Sequence, residues 1–112
     1  MSGITTHVLD TARGRPASGM RVVLEARTDD GWTAVGGGET DADGRVPGLA
    51  PDGTLHPGIH RITFFTGDWF AAERLPGFYP LVTVVCEIDD SAAHYHVPLL
   101  LSPYSYSTYR GS

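Results

Sequence analysis

Short apolar runs separated by turn residues constrain the fold of this chain more than any other feature of its sequence. Glycine and proline, 14 and 8 of the 112 residues, recur between the runs. Within the run at 20–26, apolar Val22, Leu24 and Ala26 fall on one face of an extended chain. This pattern is typical of a β-sandwich or barrel and leaves little room for long helices.

The runs predict seven or eight strands and one short helix. Strands are expected at 4–9, 20–26, 32–35, 59–65, 81–88, 94–101 and 104–110. Only 66–74 has helical character, with Asp68 as its expected cap and Pro76 as its stop. Gly36, Gly37 and Gly38 are expected to weaken the ladder of the preceding strand, either as a bulge or as the end of the strand. The sequence therefore predicts an all-β sandwich with one short helix.

The chain's size predicts a single domain over residues 1–112. One core of this size encloses no large cavity, so a sizeable ligand site is expected on the surface or between subunits. The net charge of −5 disfavours a general nucleic-acid or anionic-membrane surface. All eight basic residues are arginines, whose planar guanidinium groups suit local recognition of flat anions.

Cysteine usage and the apolar runs predict the compartment. Cys86 is the one cysteine, so no intramolecular disulfide can form, and its apolar surroundings predict an inert, buried thiol. The first residues do not resemble a signal peptide, and no stretch is long enough for a membrane span. We expect a cytoplasmic protein with no membrane association.

Two histidine-bearing strand faces are the first candidates for a functional site. Alternation predicts one face with Thr5, His7 and Leu9, and another with His94, His96, Pro98 and Leu100. Because both faces also carry leucine, we expect another subunit to cover them. For any one of these histidines, and for His56 and His60, a solvated or hydrogen-bonded strand residue is the alternative.

Metal sites are poorly supported by the sequence. His94 and His96 could both reach one cation from a strand, but no acidic or cysteine ligand accompanies them nearby. The acidic turn at 40–45 has calcium-loop spacing but lacks the closing glutamate, because position 52 is aspartate. We therefore expect no metal centre.

Several segments of the sequence form a combined signature. They are Thr-His-Val-Leu-Asp at 6–10 with Gly-Arg-Pro-Ala at 14–17, Thr-Asp-Ala-Asp-Gly-Arg at 40–45, and His-Tyr-His-Val-Pro-Leu-Leu-Leu-Ser-Pro at 94–103, closing on Tyr-Arg-Gly-Ser at 109–112. Together they resemble the 5-hydroxyisourate hydrolases, transthyretin-like enzymes of urate breakdown. The terminal tetrapeptide is the most specific element, since the hormone-carrying transthyretins lack it. The resemblance covers nearly the whole chain.

The resemblance implies a fold, an activity and a site. The fold would be a transthyretin-like sandwich of seven or eight strands, assembled as a homotetramer, a dimer of dimers, with sites in a channel between subunits. The activity would be ring-opening hydrolysis of 5-hydroxyisourate to 2-oxo-4-hydroxy-4-carboxy-5-ureidoimidazoline, without metal or organic cofactor. His7, His96 and Arg45 would be catalytic, and His7, Arg45, Tyr109, Arg110 and Ser112 would bind substrate.

Roles within this implied site follow from the chemistry. One of His7 and His96 would take a proton from water, and the sequence leaves open which. Arg45 would bind the substrate's carbonyl or anionic edge, and Tyr109 would hydrogen-bond the ring. Cys86 stands where the family resemblance implies an aromatic residue, and Trp69 is a second departure; both bear on packing.

Two other classes of function compete with the hydrolase. A transthyretin-like carrier would hold a small aromatic ligand in the same channel, but it has no need of two histidines and an arginine there. A structural or adhesion domain would be a monomer with an exposed sheet edge.

Overall fold

Ten strands and one helix form in the residues that the computed structural model describes, which are 3–51, 53–90 and 93–111. The strands are β1 (Gly3–Thr5), β2 (Val8–Asp10), β3 (Arg15–Pro16), β4 (Arg21–Thr28), β5 (Gly31–Glu39), β6 (Gly58–Phe64), β7 (Val82–Ile88), β8 (His94–His96), β9 (Leu99–Ser102) and β10 (Ser105–Thr108). The helix α1 spans Thr66–Ala72, between β6 and β7. The prediction of an all-β chain with one short helix is confirmed.

The strands form two layers. The first is a fully antiparallel sheet in the order β5-β4-β6-β7. The second has the order β10-β9-β2-β3, and β1 with β8 extends its two central strands. In this second layer β1 pairs with β8, and β2 with β9, both parallel.

The core lies between the layers and follows the alternation of the strands. Its largest fully buried side chains come from both sheets and from the segments beside them: Phe64, Met20, Leu24, Leu49, Ile62, Ile88, Leu99 and Leu101. On the first strands Ile4, Thr6 and Val8 are buried, while Thr5 and His7 are only half-buried. The predicted faces of these strands are therefore confirmed.

Two expected strands are each divided in two. The strand expected at 4–9 breaks between β1 and β2, and the strand expected at 94–101 breaks before Pro98, which has no amide proton for the ladder. Counted as single bent strands, these pairs bring the total to the predicted eight. Hydrogen bonds still cross the break, because the amides of Val97 and Leu99 donate to the carbonyls of Thr5 and His7 at 2.8 and 2.9 Å.

Strand β5 is longer than predicted. It continues through Gly36, Gly37 and Gly38 to Glu39, with a bulge opposite the Leu24 to Glu25 step of β4. A Cβ at Gly36 would collide with the carbonyl oxygen of Leu49. Of the two predicted outcomes for these glycines, the bulge is therefore observed and the strand end is not, and the glycines let the following loop lie directly against the strand.

Polar contacts fix α1 against the second layer. Asp68 lies in the first turn, and the helix has Phe65 at its N-cap without a side-chain cap, so the prediction that Asp68 caps the helix is wrong. Trp69 donates its indole N–H to the Ser18 carbonyl at 2.7 Å. The Arg13 guanidinium forms ion pairs with Asp10 at 2.6 Å and with Glu73 at 2.7 Å, and so links β2 to the end of the helix.

No helix in these described ranges has the length and apolar character to cross a membrane.

Adjacent valines on β4 give a test of this layer assignment. Val22 is fully buried and Val23 is half-buried on the opposite face. We expect Val22→Ala to lower the free energy of unfolding by about 2–3 kcal/mol, because it removes two buried carbon groups and leaves a cavity. Val23→Ala, the matched control, is expected to cost about 1 kcal/mol or less. Urea unfolding at one protein concentration measures both, and equal losses would contradict the assignment.

Candidate functional site

A groove of about 650 Å³ opens where β1 and β8 meet the loop that follows β5. Polar side chains on its walls are Thr5, Thr6, Asp41, Arg45, His94 and His96. The opposite wall is apolar and comes from the segment 46–50. The groove therefore offers a flat polar molecule both hydrogen-bonding groups and an apolar surface.

A tight turn places Arg45 in this groove. The carboxylate of Asp41 accepts the backbone amides of Asp43 at 2.9 Å and Arg45 at 3.0 Å, which is an Asx-type turn. The Asp41 amide donates to the Arg45 carbonyl at 2.7 Å and closes the turn. The carbonyl of Gly44, a residue with a φ of +80°, accepts the Val8 amide at 2.8 Å. The turn is thereby fixed to β2.

His7 lies beside Arg45 at the break between β1 and β2. The two residues form an isolated antiparallel bridge, although 38 positions separate them in sequence. His7 is half-buried, and its neighbours Thr5 and Thr6 line the groove. The backbone pairing therefore brings two of the sequence-predicted catalytic residues together.

His96 is the last residue of β8 and reaches the same groove. Its Nδ1 lies 2.8 Å from the hydroxyl of Thr5. Partial burial lowers the pKa of His96 below the ordinary histidine value, and the positive charges of Arg45, His7 and His94 lower it further. His96 is therefore neutral at pH 7, with one ring nitrogen free to accept a proton.

The tail closes over His96. Gly111 forms an isolated bridge with His96 and donates its amide to the His96 carbonyl at 2.7 Å. A Cβ at Gly111 would lie 2.7 Å from Cδ2 of the His96 ring, closer than real Cβ atoms approach. Glycine at this position thus allows the tail to lie flat against the imidazole.

Tyr109 and Arg110, which also belong to the tail, line a different groove. Both line a second groove of about 300 Å³ between β7, β8 and β10, and Tyr109 is 58% exposed. The Arg110 guanidinium lies 4.5 Å from the centre of the Tyr95 ring. In the protomer these two residues are therefore not beside His7, Arg45 and His96. Ser112, the remaining predicted binding residue, lies outside the described residues.

The Tyr95 hydroxyl fixes the turn that follows β7, beneath the ring on which Arg110 lies. It donates to the Asp89 carboxylate at 2.5 Å and accepts the Asp90 amide at 3.0 Å. The hydrogen bond from Tyr95 lowers the pKa of Asp89, and the charge of Arg110 lowers it further. Arg110 thus interacts with an aromatic ring and an anion at the point where the tail leaves β10.

Metal ligands are not assembled in the described part of the chain. No group of three or more histidine, cysteine, aspartate or glutamate side chains there could hold a metal ion. The Asp41 oxygen that would serve a calcium loop accepts backbone amides instead. Cys86 is half-buried, and burial raises the pKa of its thiol, which disfavours the reactive thiolate.

The two remaining histidines lie outside the groove. His60 is buried at 2% exposure on β6, and its Nδ1 lies 3.1 Å from the Gly58 carbonyl. His56 is exposed in the loop before β6. Their interpretation as ordinary histidines is consistent with these positions.

Sequence reasoning did not assign Thr5 and His94 to the site. The Thr5 hydroxyl lies 3.1 Å from Nε2 of His94 as well as 2.8 Å from Nδ1 of His96. The sequence did contain a signal for both residues, since alternation puts Thr5 on the face of His7 and His94 on the face of His96. Their meeting depends on the parallel pairing of β1 with β8, which alternation does not predict.

Comparison with known proteins places this geometry in context. A family model described as the HIUase/Transthyretin family matches residues 4–111. The 5-hydroxyisourate hydrolase of Salmonella typhimurium strain LT2 is 48% identical over 109 residues, covering 97% of this chain and 80% of that protein.

Solved structures share the fold over almost the same length. Transthyretin from Sparus aurata superposes with a TM-score of 0.92 at 29% identity, covering 99% of this chain and 97% of that one. The 5-hydroxyisourate hydrolase of Klebsiella pneumoniae superposes with a TM-score of 0.85 at 32% identity, covering 97% and 98%. The transthyretin-like sandwich expected from the sequence is thereby confirmed.

Gly44 provides a test of the turn that places Arg45. A side chain there adopts an unfavourable left-handed backbone and collides with the Val8 carbonyl oxygen, so we expect Gly44→Ala to cost roughly 2–4 kcal/mol of unfolding free energy. Gly14 has a similar φ of +69° but open space around it. Gly14→Ala, the matched control, is expected to cost about 1–2 kcal/mol from strain alone. Chemical denaturation measures both, and equal costs would show that the contact with β2 is not tight.

Proposed function

Since this chain belongs to the HIUase/Transthyretin family, we propose that it is a 5-hydroxyisourate hydrolase. It opens the ring of 5-hydroxyisourate to 2-oxo-4-hydroxy-4-carboxy-5-ureidoimidazoline, a step of urate and purine catabolism. The observation that carries this proposal is that Arg45 and His96 line one groove, with His7 bridged to Arg45, in a chain 48% identical to a 5-hydroxyisourate hydrolase.

The alternative, a small-ligand carrier, has less support. Fold alone does not separate the two functions, because the transthyretin and hydrolase structures both superpose on this chain. The sequence does favour the hydrolase, since the Salmonella typhimurium 5-hydroxyisourate hydrolase is 48% identical over 97% of this chain. A carrier also gains nothing from a neutral histidine beside an arginine and a second histidine.

Hydrolysis of the ring requires three things of the site. Water must attack an amide-like carbonyl, so a base must take the water proton as the C–O bond forms. A donor must stabilise the oxyanion that develops on the carbonyl oxygen. The flat ring must also be held with that carbon near the attacking water.

His96 fits the role of the base. Its lowered pKa keeps it neutral at pH 7, and its Nδ1 is occupied by Thr5, which leaves Nε2 for water. As the pH falls, activity should decline when His96 becomes protonated. Because the pKa of His96 is below that of an ordinary histidine, this decline is expected below about pH 6.5.

Arg45 fits the role of oxyanion donor. Its guanidinium is permanently charged, and its backbone is fixed by the Asp41 turn and by the bridge to His7. A donor that is already in place needs no reorganisation when charge develops on the substrate. His7, on the other side of the bridge, would relay the proton that His96 takes from water to the departing ring nitrogen as the C–N bond breaks.

The tail, residues 109–112, would complete the substrate site. Gly111 already lies on His96, while Tyr109 and Arg110 face the second groove of the same protomer. In a homotetramer, a dimer of dimers with the sites in an inter-subunit channel, a neighbouring subunit can bring further groups to each groove. The proposal includes Tyr109, Arg110 and Ser112 as substrate-binding residues in that assembly.

Other parts of the proposal follow from the sequence. Residues 1–112 act as one domain, in the cytoplasm, with no metal or organic cofactor and with no nucleic-acid or membrane partner. The net charge of −5 is consistent with the absence of a nucleic-acid partner.

The decisive experiment generates 5-hydroxyisourate from urate and follows its ultraviolet absorbance. Wild-type protein should accelerate the decay, and decay at the spontaneous rate would refute the proposed function. We expect His7→Ala, Arg45→Ala and His96→Ala each to lower kcat/KM by roughly 10²–10⁴-fold, as for loss of a positioned base or oxyanion donor.

Matched controls separate this loss from general damage. His56 and Arg27 are exposed and lie outside the groove, so His56→Ala and Arg27→Ala should keep near-normal activity. Circular dichroism checks that every variant is folded. A residue of the three whose folded alanine variant turns over substrate normally would have no place in the mechanism.

The tetramer has its own test. Phe78, Leu81, Val85, Tyr104, Tyr106 and Tyr109 are large apolar side chains that remain 41% or more exposed in the protomer. Neighbouring subunits would cover such side chains in the proposed tetramer, so sedimentation velocity should give a mass near four times 12.0 kDa. A monomer at micromolar concentration would contradict the inter-subunit site.

A further inference from the structure

The Thr5 hydroxyl lies between two histidines of the groove. Its Oγ1 is 2.8 Å from Nδ1 of His96 and 3.1 Å from Nε2 of His94. The three residues occupy paired parallel strands, in which Gly3 is aligned with His94 and Thr5 with His96. The backbone of Thr5 is fixed as well, because its carbonyl accepts the Val97 amide at 2.8 Å.

The Thr5 hydroxyl can donate only one of these two hydrogen bonds. A threonine hydroxyl has one proton to donate and lone pairs that accept. When it donates to one histidine, the nitrogen of the other must carry a proton and donate to it. The protonation of His96 Nδ1 is therefore coupled, through one oxygen atom, to that of His94 Nε2.

The two histidines differ in how well they hold a positive charge. His96 is partly buried, and the groove also places the cationic Arg45 and the titratable His7 and Asp41 around it. Burial and the charges of Arg45, His7 and His94 oppose a positive charge on His96. His94 is exposed, so water solvates its imidazolium form and accepts its proton.

We propose that Thr5 and His94 form a proton exit path from His96 to solvent. This inference rests on the proposed function, because it needs His96 to take a proton from the attacking water in each turnover. Thr5 and His94 do not touch substrate in this scheme, so they are positioning residues for the base.

The transfer balances without any further reactant. After His96 Nε2 takes the proton of water, the ring carries protons on both nitrogens and a positive charge. The Nδ1 proton then moves to Thr5 Oγ1, while the original hydroxyl proton moves to His94 Nε2. His96 becomes neutral with its remaining proton on Nε2, His94 becomes the imidazolium, and His94 releases a proton from its ring to water. When His96 passes the Nε2 proton on toward the departing ring nitrogen, a proton returns from solvent along the same path to Nδ1, which restores the starting tautomer.

The path also affects the geometry of the base. Because Thr5 occupies Nδ1, the free nitrogen of neutral His96 is Nε2, provided that Nδ1 donates to the hydroxyl. Loss of the hydroxyl would free His96 to populate the wrong tautomer. Both effects lower the rate of turnover and leave the contacts that bind the ground-state substrate intact.

The test compares Thr5→Val with Thr5→Ser. Valine keeps the shape of threonine and removes the hydroxyl, whereas serine keeps the hydroxyl. We expect Thr5→Val to lower kcat roughly 10- to 100-fold with KM changed less than about twofold, and Thr5→Ser to retain most activity. Thr33→Val on exposed β5 is the matched control and should behave as wild type.

Changing His94 tests the outer end of the path. His94→Ala should lower kcat, and added imidazole should restore part of it because the small base can accept the proton at the exposed position. The double variant Thr5→Val with His94→Ala should be no slower than Thr5→Val alone, since both changes break one path.

Tautomers of His96 give a readout that needs no turnover. In ¹⁵N-edited spectra, wild-type His96 should show a protonated Nδ1, and Thr5→Val should shift the ring toward the Nε2-protonated form. If Thr5→Val does not fold, the His94→Ala rescue decides the question alone.

The outcomes separate this inference from the proposed function. If wild-type protein does not accelerate decay of 5-hydroxyisourate, the hydrolase proposal fails. If wild type is active but Thr5→Val retains its kcat, or Thr5→Ser is as slow as Thr5→Val, the exit path is overturned while the hydrolase stands. Additive losses in the double variant would also overturn it.

Discussion

The parallel pairing of β1 and β2 with β8 and β9 is the constraint on which the candidate site depends. It joins two segments about 90 residues apart, and the amides of Val97 and Leu99 hold its register across the break in both strands. Alternation then directs Ile4 and Val8 into the core and leaves the half-buried His7 on the other face. A slip of one residue would exchange those faces, so burial of the core also fixes where the histidine lies.

Backbone contacts, more than side-chain contacts, bring the candidate catalytic groups together. Arg45 is held by a turn around Asp41 and a bridge to His7, and Gly111 is held by a bridge to His96. Both approaches need glycine, because side chains at Gly44 and Gly111 would collide with the Val8 carbonyl and the His96 ring. The chain has a net charge of −5, so the field of the whole molecule does not attract an anionic substrate. Recognition of an anion therefore depends on the accurate placement of a local cation such as Arg45.

Much of the fold followed from the sequence, and the reasons for the exceptions are physical. Period-two alternation predicted the faces of 4–9 and 94–101, since a strand that is buried on one side has apolar residues at every second position. A bulge beside Gly36 was one of the two outcomes predicted for the β5 glycines, whereas the close approach of Leu49 to Gly36 is a tertiary contact that the local sequence does not show. Family resemblance supplied Arg45, whereas the role of Thr5 required knowledge of strand pairing. The direction of Arg110, onto the Tyr95 ring, has no signature in the local sequence.

A shared fold leaves the difference between a carrier and a hydrolase to a few side chains. The backbone of this chain superposes on a transthyretin with a TM-score of 0.92, so the frame itself is compatible with either function. The groove departs from a simple binding site in that it keeps one histidine neutral by burial and by neighbouring positive charge. Those same conditions make the protonated histidine unfavourable once it has acted as a base. A site that gains a reactive base in this way must also give the proton an exit, and the Thr5 hydroxyl beside exposed His94 is where the fold provides one.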